Sequence, residues 1–300
     1  MDESKIHGRF GLDQDPGDTY NSMWMELSGV PFSQGWIKAG DINTRYLHTG
    51  SSDKPALIFL HGFIGHAEAF IRNLAAHGEY FNTYAIDMMG TGYSDKPDFP
   101  YHAPVIARQV SDFMDSAGLK TASVLGTSYG SRIATRFAIN YPDRLDKLTL
   151  SSVSGIKFNS EAGARILSDH SAIDNPSWEQ CKKEVTHLFR TGVFDDLIAC
   201  RQAIVAQTEM IKVKPHLYVP HKPETGDLSR ASEEEYRTIQ APTLVLQGVQ
   251  DETYDTSGAE EIADAIPNAR LVLMEGCGHA PYFQKPEEWN KIHLDFLLDR

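Results

Sequence analysis

Basic residues are few in this chain of 300 residues. Lys and Arg total 28 against 41 Asp and Glu, which gives a formal net charge of −13. No run of Lys or Arg occurs, and this disfavours binding to the phosphates of nucleic acids. The chain also lacks an apolar run of the roughly 18 residues that a membrane span needs, and its polar start lacks the apolar core of a signal peptide. We therefore expect a soluble, cytoplasmic protein that binds neither nucleic acid nor membrane.

Cysteines are scarce as well. Cys181, Cys200 and Cys277 form an odd, widely spaced set that contains no Cys-x-x-Cys pair. Such a set does not indicate a disulfide framework and suits a reducing compartment. We expect no cofactor.

The most informative motif is Gly-x-Ser-x-Gly at residues 126–130. An apolar run with a strand pattern comes before it, and apolar residues at helical spacing follow it. A strand that turns into a helix over so few residues forces Ser128 into a strained conformation, which only small neighbours such as Gly126 and Gly130 permit. This context predicts a nucleophile elbow with Ser128 at its tip.

Strand and helix patterns divide the chain into segments. They alternate over residues 33–153 and again over 241–300, which predicts an α/β fold with a mostly parallel, twisted sheet flanked by helices. Residues 154–240 carry no strong strand pattern, and 195–210 is one of the helical patterns there. Because this segment is too long for a loop, we interpret it as an inserted helical lid. Residues 1–32 are predicted to be an N-terminal arm.

A serine hydroxyl needs a base to become a good nucleophile, and the base needs a partner that orients it. Asp251 and His279 each follow directly after a predicted strand. Loops that leave the carboxyl ends of parallel strands lie at one edge of the sheet, so both should lie near Ser128. The order Ser, Asp, His therefore predicts a catalytic triad. Asp255 is the alternative partner of His279.

The backbone N–H groups of Phe63 and Tyr129 are the candidate oxyanion hole. Tyr129 begins the helix after the nucleophile, and Phe63 lies in the loop after an apolar strand pattern at residues 56–60. Preorganised amides stabilise a tetrahedral oxyanion without reorganisation. In the same loop, His61 and His66 resemble a pair of metal ligands. With no third ligand nearby, we favour a turn-shaping role for His61 and expect no metal site.

Together, these motifs resemble the α/β-hydrolase family over nearly the whole chain. The closest resemblance is to the meta-cleavage product hydrolases, which split a carbon–carbon bond in ring-opened dienoates. It includes the Gly-Cys-Gly-His turn at residues 276–279 and the segment 194–203, which is similar to the lid helix of that family. The resemblance implies that Arg201 binds the substrate carboxylate and that Phe189 covers the substrate. A guanidinium suits this role because it forms paired hydrogen bonds with a carboxylate.

The chain departs from the common pattern of that family in three places. Thr127 replaces asparagine before the nucleophile, Ala280 replaces tryptophan after the histidine, and residues 63–65 replace Gly-Pro-Gly. These positions line the polar pocket in the family, so the resemblance implies that Thr127 and Ala280 contact the substrate. The sequence therefore predicts a serine hydrolase that splits the C–C bond of a 2-hydroxy-6-oxo-dienoate type acid. The alternative is a carboxylic ester or lactone hydrolase with the same triad.

A third interpretation is a catalytically silent α/β-hydrolase that serves as a binding protein. The complete set of triad residues disfavours it. A small-molecule substrate is therefore the expected partner. A homodimer is a further expectation that comes with the family, and the N-terminal arm could assist it.

Overall fold

The computed structural model of the chain describes residues 22–156, 171–190, 192–218 and 228–300. Strands among these residues form one sheet: β1 (Phe32–Ala39), β2 (Ile42–Thr49), β3 (Ala56–Leu60), β4 (Asn82–Ile86), β5 (Ala122–Thr127), β6 (Leu145–Ser151), β7 (Thr243–Gly248) and β8 (Ala269–Met274). Their order across the sheet is β1-β2-β4-β3-β5-β6-β7-β8. The β1–β2 and β2–β4 pairs are antiparallel, and every other pair is parallel. The predicted α/β fold with a mostly parallel sheet is confirmed.

Helices flank this sheet. Those in the described residues are α1 (Ile71–Gly78), α2 (Ala103–Ser116), α3 (Tyr129–Asn140), α4 (Trp178–Phe189), α5 (Asp195–Val205), α6 (Thr208–Tyr218), α7 (Glu233–Arg237), α8 (Thr256–Ala265), α9 (Pro281–Gln284) and α10 (Pro286–Leu297). No helix in this part of the chain is both long enough and apolar enough to cross a membrane.

The central strands β3, β5 and β7 are buried along their whole length. A parallel sheet covered on both faces gives continuous apolar runs rather than alternating patterns, as these sequences do. The loops that follow β3, β5, β7 and β8 leave the sheet at the same edge, because these strands run in parallel. These loops carry Phe63, Ser128, Asp251 and His279.

Between β6 and β7, the described residues form α4 to α7 and no strand. The helical pattern at 195–210 is divided between α5 and α6 in the structure. Gln207 lies at the break, where its side chain donates to the carbonyl of Gly92 (3.1 Å) and accepts from Nζ of Lys96 (3.0 Å). The rest of the predicted lid lies outside the described residues, namely 157–170, 191 and 219–227.

The predicted N-terminal arm is described only from residue 22 onward; residues 1–21 lie outside the described part of the chain. Met23–Leu27 forms a 3₁₀-helix whose first and last side chains are buried. Oγ of Ser22, the residue before this helix, lies 2.6 Å from Oδ2 of Asp196 in α5. The end of the arm therefore packs on its own chain, and β1 begins at Phe32.

Candidate active site

Ser128 occupies the turn between β5 and α3. Its backbone has φ 54° and ψ −119°, a conformation that costs a non-glycine residue about 1–3 kcal/mol. Two glycines allow the strand and helix to approach closely. An added Cβ at Gly126 would lie 2.0 Å from the carbonyl oxygen of Gly130, and one at Gly130 would lie 2.3 Å from that of Leu60. The structure thus has the strand–turn–helix geometry that the motif predicts.

His279 and Asp251 are directly hydrogen-bonded. Nδ1 of His279 lies 2.8 Å from Oδ2 of Asp251, whose Oδ1 accepts from the N–H groups of Thr253 (2.8 Å) and Tyr254 (3.2 Å). Burial raises the pKa of Asp251, but the charge and hydrogen bond of His279, together with these amides, outweigh burial and lower it. An ionised Asp251 accepts a hydrogen bond from Nδ1–H, so Nε2 is the basic nitrogen of the neutral His279 ring.

Asp255, the alternative partner of His279, lies elsewhere. It is the N-cap of α8, where its carboxylate accepts a hydrogen bond from the N–H of Ser257 (2.9 Å). Asp and Ser are common in such caps because they satisfy the first amides of a helix. The structure therefore pairs His279 with Asp251.

Two residues that the sequence analysis did not single out hold this pair. Nε2 of Gln247 donates to Oδ2 of Asp251 (2.9 Å), and its Oε1 accepts from the N–H of Val153 (3.0 Å). Ser152, at a strained φ of 54°, donates from Oγ to the carbonyl of His279 (2.7 Å). Both lie at the carboxyl end of a strand, Gln247 in β7 and Ser152 directly after β6. That position is the signal by which sequence reasoning could have found them.

Ser128 and His279 line the same cavity. The structure describes both side chains, and no hydrogen bond joins them. Such bonds are often long before substrate binds and shorten in the complex. The phenol of Tyr254 is adjacent to the Ser128 side chain, and its ring centroid lies 5.4 Å from that of His279. Burial raises the pKa of Tyr254. Its hydroxyl therefore keeps its proton at neutral pH and can donate to Ser128.

The loop after β3 passes directly against the nucleophile. An added Cβ at Gly62 would lie 3.2 Å from Cβ and 3.7 Å from Oγ of Ser128, so a larger residue there would press on the serine. Ile64 completes the turn at a strained φ of 51°. This turn holds Phe63 beside the nucleophile, and Tyr129 follows Ser128 directly at the start of α3. The two candidate oxyanion residues thus flank Ser128.

His61 fixes the start of this turn. Its Nδ1 lies 2.8 Å from the Gly62 carbonyl, and its Nε2 accepts from the N–H of Met88 (3.1 Å) and lies 3.2 Å from Oγ1 of Thr91. Burial lowers the pKa of His61 to about 3, so the ring is neutral. With both nitrogens engaged, His61 is not available as a metal ligand. The described part of the chain contains no group of three His, Cys, Asp or Glu side chains that could hold a metal ion.

A cavity of about 410 Å³ lies between the sheet edge and the inserted helices. The core lines it with Gly62, Phe63, Thr127, Ser128, His279 and Tyr282. The inserted helices line it with Lys183, Glu184, Leu188, Phe189, Leu197 and Arg201. Of the residues that the family resemblance assigns to the substrate, Thr127, Phe189 and Arg201 therefore lie in the wall. Ala280 is fully buried and is not part of the wall; it precedes α9.

Arg201 is buried and already has protein partners. Its Nη2 lies 3.4 Å from Oε2 of Glu184, and its Nη1 donates to the carbonyl of Ile64. Oε1 of Glu184 accepts from the N–H of Ala172 (2.6 Å) and from Nε2 of Gln180 (3.2 Å). The cation that the resemblance assigns to a substrate carboxylate thus faces a protein carboxylate, which the sequence analysis did not anticipate.

Comparison with known proteins agrees with the observed fold. A family model for the alpha/beta hydrolase fold matches residues 55–179, and one for TAP-like proteins matches 220–299. The structure of 2-hydroxy-6-oxo-6-phenylhexa-2,4-dienoate hydrolase from Rhodococcus sp. strain RHA1 superposes with a TM-score of 0.79 at 18% identity, over 89% of this chain and 99% of that chain. The chain therefore has the α/β-hydrolase fold and is similar to members of the α/β-hydrolase superfamily.

The relatives of this chain have different substrates in their names. Monoacylglycerol lipase ABHD6 of Bos taurus is 24% identical over 258 residues, which are 81% of this chain and 75% of the relative. 2-Hydroxymuconate semialdehyde hydrolase of Pseudomonas putida is 26% identical over 219 residues, which are 72% of this chain and 76% of the relative. Likeness to this superfamily therefore does not select the substrate.

Proposed function

We propose that this chain is a serine hydrolase in which Ser128 is the nucleophile, His279 the general base and Asp251 the residue that orients His279. One observation carries the proposal: Ser128, at the tip of a strained turn, shares a cavity with a His279 ring whose Nδ1 lies 2.8 Å from Asp251. A serine placed beside an oriented base is the arrangement that activates a hydroxyl for acyl transfer.

In this proposal, Oγ of Ser128 attacks a carbonyl carbon while Nε2 of His279 takes the hydroxyl proton. The carbonyl oxygen becomes an oxyanion, for which the backbone N–H groups of Phe63 and Tyr129 are the donors. The bond to the leaving group breaks, and His279 returns its proton to that group. Water, activated by His279, then hydrolyses the acyl-enzyme and restores the serine. None of these steps needs a cofactor.

The first candidate substrate is a 2-hydroxy-6-oxo-dienoate type acid from aromatic degradation, in which the bond that breaks is C–C. The leaving group is then carbon. The dienol of the substrate must therefore first become its keto tautomer, so that the leaving fragment departs as a stabilised dienolate. This dienolate takes the proton from His279. Arg201 in the cavity wall supports this candidate, because a guanidinium can pair with the acid end. Phe189 supplies an apolar wall for the hydrocarbon part.

The second candidate substrate is a carboxylic ester or lactone. Glu184 favours it, because its Oε2 lies 3.4 Å from Nη2 of Arg201 and a substrate carboxylate at that point would meet a like charge. An uncharged polar head of the substrate would not meet this repulsion. Ala280, which replaces the tryptophan of the C–C hydrolases, also favours an ester or lactone.

We further infer that the inserted segment, residues 154–240, acts as a lid. The support for this inference is that helices of the inserted segment form part of the cavity wall. Helix α4 contributes Glu184 and Phe189, and α5 contributes Arg201. The nucleophile and the base come from the core. Helices that close over a site in this way exclude water from the reaction.

The test compares both substrate classes on one preparation. Wild type and Ser128→Ala are mixed with a coloured 2-hydroxy-6-oxo-dienoate and, separately, with an aryl ester of a short acid. Loss of the visible colour with release of a carboxylic acid, absent in Ser128→Ala, supports C–C cleavage; turnover of the ester alone supports the second candidate. A Ser128→Ala variant as active as wild type on both would refute the serine hydrolase.

Glu184→Gln separates the two candidates further. If Arg201 binds a substrate carboxylate, removal of the competing negative charge should lower the KM of the dienoate and leave that of the neutral ester nearly unchanged. Lys183→Gln, on the same helix and in the same wall, is the matched control for a general change in cavity charge. An equal effect of Glu184→Gln on both substrates would speak against carboxylate binding at Arg201.

A further inference from the structure

A second carboxylate–histidine pair lies in the wall of the same cavity. Nδ1 of His66 lies 2.8 Å from Oε2 of Glu68, and His66 is part of the cavity lining. Glu68 in turn is held by Arg45, with Nη2 to Oε1 at 2.5 Å and Nη1 to Oε2 at 2.9 Å. Arg45 and Glu68 are almost completely buried. The chain Arg45–Glu68–His66 therefore leads from the core to the cavity, and the triad does not use it.

The hydrogen bonds define what His66 presents to the cavity. Burial raises the pKa of Glu68, but the hydrogen bonds from His66 and Arg45 outweigh burial and lower it, so Glu68 is ionised and accepts from Nδ1–H. In the neutral ring, Nε2 then carries the lone pair. Nε2 has no hydrogen-bond partner among the described residues. It is also not one of the unpartnered polar atoms that are sealed from solvent in this part of the chain, so it opens on accessible space.

His66 and Arg201 lie on the same part of the wall. Nη1 of Arg201 donates to the carbonyl of Ile64, two residues before His66 in the chain. A substrate head placed here would therefore meet a donor, Arg201, and an acceptor, Nε2 of His66. A hydroxyl group next to a carbonyl or carboxyl oxygen is the simplest head that satisfies both.

We propose that His66 determines specificity by accepting a hydrogen bond at Nε2 from a hydroxyl on the polar head of the substrate. Glu68 and Arg45 are positioning residues that hold the acceptor nitrogen toward the cavity. This inference rests on the proposed function, since it concerns the substrate of the Ser128 site. Both candidate classes can carry such a hydroxyl: the 2-hydroxyl of a hydroxydienoate, or an alcohol hydroxyl of a polyol ester.

The test measures equilibrium binding, which does not depend on turnover. Dissociation constants are determined by calorimetry on the Ser128→Ala background for two matched pairs of ligands. The first pair is a 2-hydroxy-6-oxo-dienoate and its 2-methoxy analogue, and the second is a glycerol monoester and the propyl ester of the same acid. The pair that shows a preference for the hydroxyl identifies the source of the head group.

With His66 in place, we expect the hydroxyl member of one pair to bind about ten-fold more tightly, the value of one hydrogen bond of about 1.4 kcal/mol. His66→Phe, which keeps the ring but has no acceptor, should reduce the ratio to about one. His66→Leu serves if His66→Phe does not fold. His48→Gln, in β2 and outside the cavity wall, is the control and should keep the ratio.

A ratio that survives in His66→Phe or His66→Leu overturns the proposal, as does the absence of any preference in both pairs when His66 is present. Loss of affinity for a carboxylate head without loss of hydroxyl preference also overturns it, because that result indicates a protonated ring that donates. Failure of the serine hydrolase is a separate result: it appears as absent turnover by wild type, whereas the binding ratios still decide the role of His66.

Discussion

Gln247 and His279 share one carboxylate oxygen: Oδ2 of Asp251 accepts from Nε2 of Gln247 at 2.9 Å and lies 2.8 Å from Nδ1 of His279. Gln247 is fully buried, and its amide also accepts from the N–H of Val153. The orientation of Asp251 toward His279 thus depends on a neutral side chain from β7.

Replacement of Gln247 by Met should therefore weaken catalysis through Asp251. We expect kcat to fall roughly ten- to hundred-fold, since a hydrogen bond to a charged group contributes about 1.5–3 kcal/mol. KM should change little, because Gln247 does not line the cavity. Steady-state kinetics, combined with thermal melts followed by circular dichroism, distinguish a loss of catalysis from partial unfolding. A higher KM at constant kcat would contradict this role of Gln247.

The choice between the two aspartates is tested by a matched pair of variants. Asp251→Asn should lower kcat by about 10⁴-fold, because an amide at this position favours the wrong tautomer of His279. Asp255→Asn should leave activity near wild type, because Asn is also a good N-cap for α8. Similar losses in the two variants would show that Asp251 has no special role.

Replacement of Gly130 should lower thermal stability, whereas replacement of Gly62 should lower kcat. Gly130→Ala places a Cβ 2.3 Å from the backbone oxygen of Leu60, so we expect the protein to unfold at a markedly lower temperature. Gly62→Ala places a Cβ 3.2 Å from Cβ of Ser128, a contact that small shifts can relieve. Here we expect a large loss of kcat with a melting temperature close to wild type. The reverse pattern in thermal melts and kinetics would contradict the close approach of the β3 loop to the serine.

Three buried histidines make the fold sensitive to acid. Nε2 of His77 lies 2.9 Å from Nδ1 of His293, whose Nε2 lies 3.0 Å from Oγ1 of Thr149. Burial lowers the pKa of His77 to about 4 and that of His61 to about 3, and it lowers that of His293 well below the usual value. In the unfolded chain these rings take up protons near pH 6.5, whereas in the folded chain they remain neutral.

The free energy of unfolding should consequently be highest above about pH 6.5 and fall as the pH decreases toward the folded-state pKa values. The slope is at most about 1.4 kcal/mol per pH unit for each ring. Urea unfolding between pH 7 and pH 5 measures this slope. This range lies above the pH values at which carboxylates dominate the pH dependence of the free energy of unfolding. The double variant His77→Leu/His293→Leu should show a shallower slope. A free energy that does not change over this range would contradict neutral buried rings.

Sequence reasoning worked well where the information is local. The elbow around Ser128 follows from two glycines and the neighbouring strand and helix patterns, and the positions of Asp251 and His279 follow from the rule that parallel strands end at one edge. The α/β fold was predicted for the same reasons. These features depend on residues that are close in sequence or on the topology of the whole sheet.

Contacts between distant segments were not predictable in this way. The contact of Glu184 with Arg201 joins two inserted helices, and the hydrogen bond of Gln247 to Asp251 depends on side-chain direction at the end of β7. The buried link between Arg45 and Glu68 joins β2 to the segment before α1. Likewise, Ala280 is fully buried outside the cavity wall, directly before α9, and no pattern in one sequence indicates this.

The central claim is that Ser128 is an activated nucleophile, and covalent labelling tests it most directly. An alkyl fluorophosphonate should react at Oγ of Ser128, with a P–O bond formed, fluoride released and the serine proton taken by His279. Intact-protein and peptide mass spectrometry should find one adduct per chain, on Ser128 alone, absent in Ser128→Ala and much slower to form in Asp251→Asn. Equal labelling of Ser128→Ala, or an adduct on another serine, would contradict the account.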